Sequence, residues 1–182
     1  MPAYILTGAP GSGKTAILRM LEDIGYRVVE EAATDVIAFG HALGCAEPWE
    51  EPGFIDKIVA LQRQRHERAL AGPNSGTVFF DRSPACTLAL SRYLGFAPPQ
   101  ALAREVDRVM AGGSYEKTVF FIRNQGFVRA TAARRISFTD SLAFERIHGQ
   151  TYRDLGFRLV DIPAGPLADR VALIEQAVEA GP

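Results

Sequence analysis

Eight residues near the amino terminus constrain this chain more than any other stretch. Residues 8–15 read Gly-Ala-Pro-Gly-Ser-Gly-Lys-Thr and match the pattern G-x-x-x-x-G-K-[ST] at every fixed position. An apolar segment, residues 3–7, precedes them, and an amphipathic segment, residues 16–24, follows them. A phosphate-binding loop requires this context, a strand before it and a helix after it. We therefore predict a P-loop between the first strand and the first helix.

The residue types in this loop predict how it would hold a nucleotide. Glycines let the main chain turn its N–H groups inward, and the following helix adds a partial positive charge at its N-terminus. Lys14 is placed to reach the β- and γ-phosphates, and the Thr15 hydroxyl to ligate Mg²⁺. ATP and Mg²⁺ are therefore the expected cofactors. The predicted nucleotide-binding residues are Gly8, Ala9, Pro10, Gly11, Ser12, Gly13, Lys14 and Thr15. The residue at position 16 is not predicted to bind the nucleotide.

Composition is typical of a globular protein. Of 182 residues, 47% are hydrophobic and 23% charged, so we expect one P-loop domain spanning residues 1–182. The formal net charge of −1 does not favour nucleic acid or an anionic membrane as a partner. Cys45 and Cys86 are far apart, and the three histidines lack the spacing of metal ligands. With no secretion-signal pattern and no long apolar run, we expect a soluble, cytoplasmic protein without a membrane segment.

Two carboxylates follow the second predicted strand. Residues 26–29 form that strand, and the next helix is predicted to open at Glu30 and to extend to Gly44. Acidic residues in the first turn of a helix interact favourably with the helix dipole. Alternatively, a carboxylate at the end of a parallel strand lies at the sheet edge where ligands bind. Since successive side chains of an extended segment point in opposite directions, at most one of Glu30 and Glu31 should face such a site.

The third predicted strand ends in Asp81-Arg82-Ser83-Pro84. Residues 77–80 are β-prone, and an acid directly after such a strand can hold Mg²⁺ opposite the P-loop threonine. Strands also end in Asp where that residue caps the next helix. Here Ser83 and Pro84 supply a cap and a first turn of their own. We therefore expect Asp81 and Arg82 to be free for another role.

The rest of the chain alternates helices with strands. Strands are predicted at 117–122 and 157–160, helices at 54–70, 84–94 and 99–110, from Ser137 or Thr139 to Leu155, and from Pro166 onwards. Residues 62–68 are assigned to a solvated helix face, and residues 161–165 to a loop. Five strands alternating with helices predict an α/β protein, a parallel sheet between two helical layers.

The stretch that begins with the fourth strand contains basic residues but no acidic residues. From Lys117 to Thr139 the chain has no Asp or Glu, while five residues are basic: Lys117, Arg123, Arg129, Arg134 and Arg135. Positive side chains beside a phosphate site can stabilise a phosphoryl group in transfer. A solvated loop or a nucleic-acid contact is the alternative. We predict that residues 123–137 form a lid.

In their order along the chain, these segments resemble those of the P-loop nucleoside and nucleotide kinase group. The chain is most similar to a small family of AAA-type ATPases that includes the nicotinamide riboside kinase domain of the bacterial NAD-biosynthesis regulator. The resemblance rests on the P-loop, Glu31-Ala32-Ala33, Asp81-Arg82-Ser83, Arg134 or Arg135, and residues 152–163. It departs at Thr34 and Cys86, where family members often carry Arg and Asp.

The resemblance implies a kinase that transfers the γ-phosphoryl group of Mg-ATP to a small acceptor such as a nucleoside, a nucleotide or a vitamin precursor. Glu31 would accept the proton of the acceptor, while Thr15 and Asp81 would hold the metal. The implied catalytic residues are Lys14, Glu31, Asp81, Arg82, Arg134 and Arg135. The alternative is a regulatory ATPase or GTPase switch that binds a protein or lipid and transfers nothing. The sequence specifies neither the acceptor nor the oligomeric state.

Overall fold

Strands and helices alternate along the chain. The computed structural model describes residues 1–71, 76–126 and 138–181. The strands are β1 (Ala3–Thr7), β2 (Arg27–Val29), β3 (Val78–Asp81), β4 (Thr118–Ile122) and β5 (Arg158–Ile162). The helices are α1 (Lys14–Asp23), α2 (Ala32–Ala42), α3 (Phe54–Ala71), α4 (Pro84–Tyr93), α5 (Gln100–Ala111), α6 (Phe138–Asp154) and α7 (Leu167–Glu179), with a 3-10 helix at Pro48–Glu50. No helix in the described ranges is long and apolar enough to cross a membrane.

All five strands run parallel, in the spatial order β2-β3-β1-β4-β5. The central strand β1 is buried along its whole length, as are its neighbours β3 and β4. Continuous apolar runs are what a parallel sheet covered on both faces requires. The predicted α/β fold, with helices on both sides of a five-stranded parallel sheet, is confirmed.

Alternate residues of the inner strands enter two separate cores. On one face, Tyr4, Leu6 and Phe79 pack against residues of α1 and α7. On the other face, Ile5 and Phe80 pack against residues of α3 to α6. A third cluster joins α2, α3 and α5 beside the sheet, with Phe54, Ile58, Leu102 and Val106 at its centre. The apolar side chains of this third cluster lie near the carboxyl edge of the sheet.

Two element boundaries differ from those predicted. Strand β5 continues through Asp161 and Ile162, which were assigned to a loop, because they pair with Phe121 and Ile122 of β4. Pairing with a neighbouring strand here outweighs the local turn signal. Helix α2 begins at Ala32 and not at Glu30, since Glu31 is extended with φ −61° and ψ 127°. Both carboxylates therefore precede the helix.

The assignment of residues 62–68 to a solvated face is wrong for part of α3. His66 is buried, and its ring lies 5.7 Å from the Phe80 ring and 5.1 Å from the Tyr115 ring, between centroids. Arg65 donates to the Glu30 carbonyl oxygen at 2.9 Å and pairs with Asp35. The reason is that α3 lies along the sheet, so one face of its polar half is turned inward.

Candidate functional site

The P-loop follows β1 directly and turns into α1. Gly8, Gly11 and Gly13 have φ angles of 139°, 82° and 91°, a region that residues with a side chain rarely adopt. Space is also limited. A Cβ on Gly8 would lie 2.3 Å from the Ile122 carbonyl oxygen, and a Cβ on Gly13 would lie 2.9 Å from an Nη atom of Arg170. The path of this loop therefore requires glycine at both positions.

Lys14 is folded back over the loop. Its ammonium donates to the carbonyl oxygens of Gly8 and Ala9, both at 3.0 Å, and is 3.4 Å from the Ser12 hydroxyl oxygen. The side chain is buried by these contacts. An ammonium held by carbonyl and hydroxyl oxygens at this position can exchange them for the oxygens of a phosphate, which it binds as a point charge.

The two predicted metal ligands lie at the same edge of the sheet. Asp81 is the buried last residue of β3 and pairs with Leu6, shortly before the P-loop. Thr15 is exposed in the first turn of α1. Among the described residues, no group of three or more His, Cys, Asp or Glu side chains could hold a metal. One hydroxyl and one carboxylate suit Mg²⁺, which takes few protein ligands and keeps phosphate and water oxygens.

The side chain at position 16 adds nothing to the predicted metal and phosphate ligands. The residue there is Ala16, and it is exposed in the first turn of α1. Its methyl group has no oxygen to offer Mg²⁺ and no polar hydrogen to donate to a phosphate. The predicted nucleotide-binding set therefore ends at Thr15.

Arg82 adopts an unusual backbone conformation. Its φ of 72° makes it the one residue other than glycine, within the described ranges, with a positive φ. Such a conformation costs about 1–2 kcal/mol, so the surroundings must impose it. The Arg82 N–H donates to the Leu6 carbonyl oxygen at 3.0 Å. This bond ties the turn after β3 to the end of β1.

The side chain of Arg82 forms an ion pair with Glu31. Arg82 Nε lies 2.5 Å from Glu31 Oε1, and the two side chains are 8% and 11% exposed. Thr34 donates to Glu31 Oε2 at 2.9 Å. Burial alone would lower the pKa of Arg82, but neighbouring negative charges, Glu31 first among them, raise that pKa above its ordinary value. Arg82 does not cap α4, where Ser83 holds the N-cap position, and its guanidinium is instead paired with Glu31.

Sequence reasoning missed His148, which also contacts Arg82. This histidine of α6 is fully buried. Its Nδ1 donates to the Phe144 carbonyl oxygen at 3.1 Å, and its Nε2 accepts from Arg82 at 3.3 Å. Burial, and then the charge of Arg82, hold the pKa of His148 well below its usual value. The ring is therefore neutral, with its proton on Nδ1, and its Nε2 helps to orient the guanidinium.

A buried hydrogen-bond network lies beneath Arg82. The Tyr152 hydroxyl is 2.8 Å from Ser83 Oγ and 3.0 Å from Cys86 Sγ, which is 3.1 Å from Thr7 Oγ1. Ser83 occupies the N-cap position of α4, as predicted, but its side chain makes no capping bond. Its hydroxyl instead joins the network. Side chains from β1, α4 and α6 thus support the turn that carries Asp81 and Arg82.

A cavity of about 430 Å³ lies beside the P-loop, between α2, α3, α4 and α6. Its charged lining consists of the Glu31–Arg82 pair and the acidic Glu47 and Asp140, and Pro10 of the P-loop also lines it. A polar pair lies along the wall, where Thr87 donates to Gln62 Oε1 at 2.9 Å. The apolar lining is formed by Ile37, Trp49, Phe54, Ile58, Leu90, Tyr93 and Phe144. An apolar cavity of this size with a few convergent polar groups is typical of a small-molecule site.

The comparisons with known proteins agree with this geometry. The model of an AAA domain family matches residues 3–170. The chain belongs to this AAA domain family. By sequence, the AAA domain is 36% identical over 94 residues to a nucleotide-binding protein of Granulibacter bethesdensis. That match covers 49% of this chain and 28% of the relative, so the chain corresponds to little more than a quarter of that protein.

Three solved structures share the fold. A NadR protein in complex with NAD and AMP-PNP matches with a TM-score of 0.68 and 14% identity, over 96% of this chain and 49% of that chain. A deoxyadenosine kinase from M. mycoides with bound products matches with a TM-score of 0.62, 14% identity and coverages of 98% and 99%. A thymidylate kinase from Candida albicans matches with a TM-score of 0.61, 10% identity and coverages of 98% and 91%. The AAA domain therefore shares the fold of these P-loop nucleoside and nucleotide kinases, as its resemblance implied.

In this AAA domain the predicted lid is described only at its start. Residues 127–137, with Arg134 and Arg135, lie outside the described residues. Arg123 is anchored, since it pairs with Glu145 at 2.7 Å and Asp161 at 2.9 Å and lies 4.6 Å above the centre of the Phe121 ring. The first residue of the predicted segment is thus attached to α6 and to the sheet.

Proposed function

We propose that this protein binds Mg-ATP and transfers its γ-phosphoryl group to the hydroxyl of a small molecule held in the cavity beside the P-loop. The observation that carries the proposal is the position of the Glu31–Arg82 pair. It lies at the end of an apolar cavity that Pro10 of the P-loop also lines. A carboxylate and a guanidinium are thereby brought to the place where an acceptor and a terminal phosphate would meet.

The residues present account for the whole transfer. Lys14 and the loop hold the phosphates, and Thr15 and Asp81 would hold Mg²⁺, which neutralises charge on the β- and γ-phosphates when bound. Glu31 takes the proton from the acceptor hydroxyl as its oxygen bonds to the γ-phosphorus. The bond from that phosphorus to the β–γ bridging oxygen breaks, and ADP leaves. Arg82, with Arg134 or Arg135, stabilises the negative charge on the phosphoryl group in the transition state.

The cavity lining favours an acceptor without a phosphate of its own. Trp49, Tyr93 and Phe144 offer aromatic faces to a planar ring. Among the described lining residues Arg82 is the one basic side chain, and Glu31 neutralises it. The carboxylates of Glu47 and Asp140 also line the cavity and would repel a phosphate on the acceptor. Arg82 would not compensate it, since it pairs with Glu31 and is proposed to act on the phosphoryl group in transfer. A nucleoside or a vitamin precursor therefore fits better than a nucleotide.

The thiol chemistry of the site points to a reducing compartment. Neither Cys45 nor Cys86 forms a disulfide. Cys86 lines the cavity, and its thiol is hydrogen-bonded to the hydroxyls of Tyr152 and Thr7. Oxidation of Cys86 would break the network that supports Arg82. We therefore propose that the protein acts in the cytoplasm, where thiols stay reduced.

ADP release measured against a panel of nucleosides, nucleotides and vitamin precursors tests this function. We expect an acceptor without phosphate to stimulate ADP release and to gain one phosphate by mass spectrometry. Lys14→Ala should abolish both signals while the circular dichroism of the protein is retained, because Lys14 contributes charge to the phosphates. Slow hydrolysis of ATP that no acceptor stimulates would contradict the kinase and favour the regulatory switch.

A further inference from the structure

A buried arginine of the last helix lies directly behind the P-loop. Arg170, in the first turn of α7, is 2% exposed. One Nη donates to the Ser12 carbonyl oxygen at 2.9 Å, and the other donates to the Arg123 carbonyl oxygen at 3.0 Å. The first of these nitrogens also lies 2.9 Å from where a Cβ on Gly13 would stand. One guanidinium thus joins the P-loop to the chain just beyond β4.

Among the residues that the structure describes, no carboxylate forms an ion pair with Arg170. Both of its hydrogen bonds go to main-chain oxygens, and its buried Nε has no hydrogen-bond partner within the described ranges. Burial lowers the pKa of Arg170, and no neighbouring acid raises it. Residues 72–75, 127–137 and 182, which lie outside the described ranges, contain no acidic side chain. No carboxylate side chain of this protein therefore compensates the charge.

Arg82, the other arginine that is buried among the described residues, has an acidic partner, as do the half-buried Arg108 and Arg123. Arg82 contacts Glu31, Arg108 contacts Glu105, and Arg123 contacts both Glu145 and Asp161. An isolated buried charge is expensive to maintain, because it has lost its hydration without gaining an opposite charge. An anion bound nearby would offset this cost. The nearest predicted anion site is the P-loop, whose Ser12 and Gly13 the guanidinium meets.

We propose that Arg170 is a positioning residue of the phosphate site, a buried cation that fixes the P-loop main chain and attracts the negative charge of the polyphosphate. It acts through Ser12 and Gly13 without touching the nucleotide. Its field reaches the phosphates because burial leaves little water to screen it. The inference rests on the nucleotide binding in the proposed function, and it holds whether or not a phosphoryl group is transferred.

The proposal predicts how the loss should depend on the ligand. A cation behind the loop favours ATP over ADP, and ADP over AMP, because the charge of these ligands falls in that order. A brace with no electrostatic role would instead affect every ligand that contacts the loop by the same factor. The ratio of ATP affinity to AMP affinity therefore separates the two roles.

Isothermal titration calorimetry of Arg170→Gln against ATP, ADP and AMP tests the proposal. Glutamine keeps an N–H donor for the Ser12 carbonyl oxygen but removes the charge. We expect the ATP affinity to fall by about tenfold, the ADP affinity by less, and the AMP affinity to change little. Arg108→Gln, in which a half-buried arginine with an acidic partner is changed, is the control and should leave all three affinities unchanged.

Equal losses for the three ligands, or no loss, would overturn the proposal. If circular dichroism shows Arg170→Gln to be unfolded, Arg170→Lys decides the question, because lysine keeps the charge. It must then retain the wild-type ratio of ATP to AMP affinity, and a ratio that collapses towards one overturns the inference. A wild-type protein that binds neither ATP nor ADP would refute the proposed function and this inference with it, whereas the outcomes above leave the proposed function intact.

Discussion

Glu30 and Glu31 are adjacent in sequence but serve opposite sides of the protein. Glu31 lines the cavity and lies 2.5 Å from Arg82 Nε, whereas Glu30 pairs with Arg19 on the outer surface. The extended backbone before α2 sends the two side chains in opposite directions. Substitutions at these two positions therefore offer a matched comparison.

Glu31→Gln should lower the acceptor-dependent rate by about 10²–10⁴, the usual contribution of a general base. Glutamine keeps the size of the side chain but cannot take the proton. Glu30→Gln should leave turnover near the wild-type value. Turnover at saturating ATP, with nucleotide affinity measured alongside, compares the two. A large loss at Glu30 alone would reverse the assignment, and unchanged rates at both would remove general-base catalysis from this segment.

Protonation of His148 should make stability depend on pH. Burial lowers the pKa of His148, and also that of His66, in the folded protein, while unfolded histidine titrates near pH 6.5. Below about pH 6.5 the unfolded state therefore binds more protons than the folded state. The free energy of unfolding falls as the pH decreases through this range, by up to about 1.4 kcal/mol per pH unit for each histidine.

Urea unfolding of His148→Gln at pH 7.5, 6.5 and 5.5 measures this dependence. The free energy of unfolding should fall less steeply with decreasing pH in the variant than in the wild type, because one of the two buried histidines is gone. An unchanged slope in His148→Gln would show that the pKa of this histidine is the same in the folded and unfolded states, which contradicts the lowering of its pKa by burial.

At the scale of elements, local pattern predicted the strands and the P-loop because both depend on neighbours in sequence. Asp81 and Arg82 could also be located, since they follow a strand directly. His148 could not, because it meets Arg82 across 66 positions, and Arg170 meets Ser12 across 158. A single histidine or arginine on a helix carries no local sign of such a partner. The end of β5 was missed for the same reason, since its pairing with β4 is a tertiary contact.

The segment 127–137 should act on catalysis more than on binding. Replacing both Arg134 and Arg135 by Ala should lower kcat more than ATP affinity, because an interaction gained mainly in the transition state affects rate. Steady-state kinetics and direct ATP titration supply the two values. Arg129→Ala, in the same acid-free stretch, is the control for a general loss of positive charge. Equal losses in kcat and in affinity would indicate a ground-state phosphate contact instead.

At the scale of the whole molecule, the P-loop is joined to several elements that are distant in sequence. It leaves β1, begins α1 and is tied to α7 and to the chain beyond β4 by Arg170. A ligand that holds the loop therefore holds both helices on one face of the sheet. Nucleotide binding should be visible in global unfolding.

Mg-ATP at 100 times its Kd should stabilise the folded protein by about 2.7 kcal/mol. For a domain of this length that corresponds to a rise in Tm of roughly 5–11 °C. Differential scanning calorimetry over a series of ATP concentrations measures the shift. Lys14→Ala should reduce it at each concentration. A Tm that does not depend on ATP concentration would rule out binding to the folded state in preference to the unfolded one.

The alignment of β1 with β3 makes strand pairing a condition for the proposed metal binding and phosphoryl transfer. Leu6 stands opposite Asp81, and the rings of Tyr4, Phe79 and Phe120 interlock on one face with centroids 5.5–6.2 Å apart. A slip of one residue would turn every side chain to the wrong core and carry Asp81 about 3.3 Å along the sheet. Metal coordination tolerates displacements of only about 0.2 Å. A refolded protein with β1 and β3 out of register could be compact and show a native circular dichroism spectrum. Measured turnover would distinguish it from protein in which the two strands are correctly aligned.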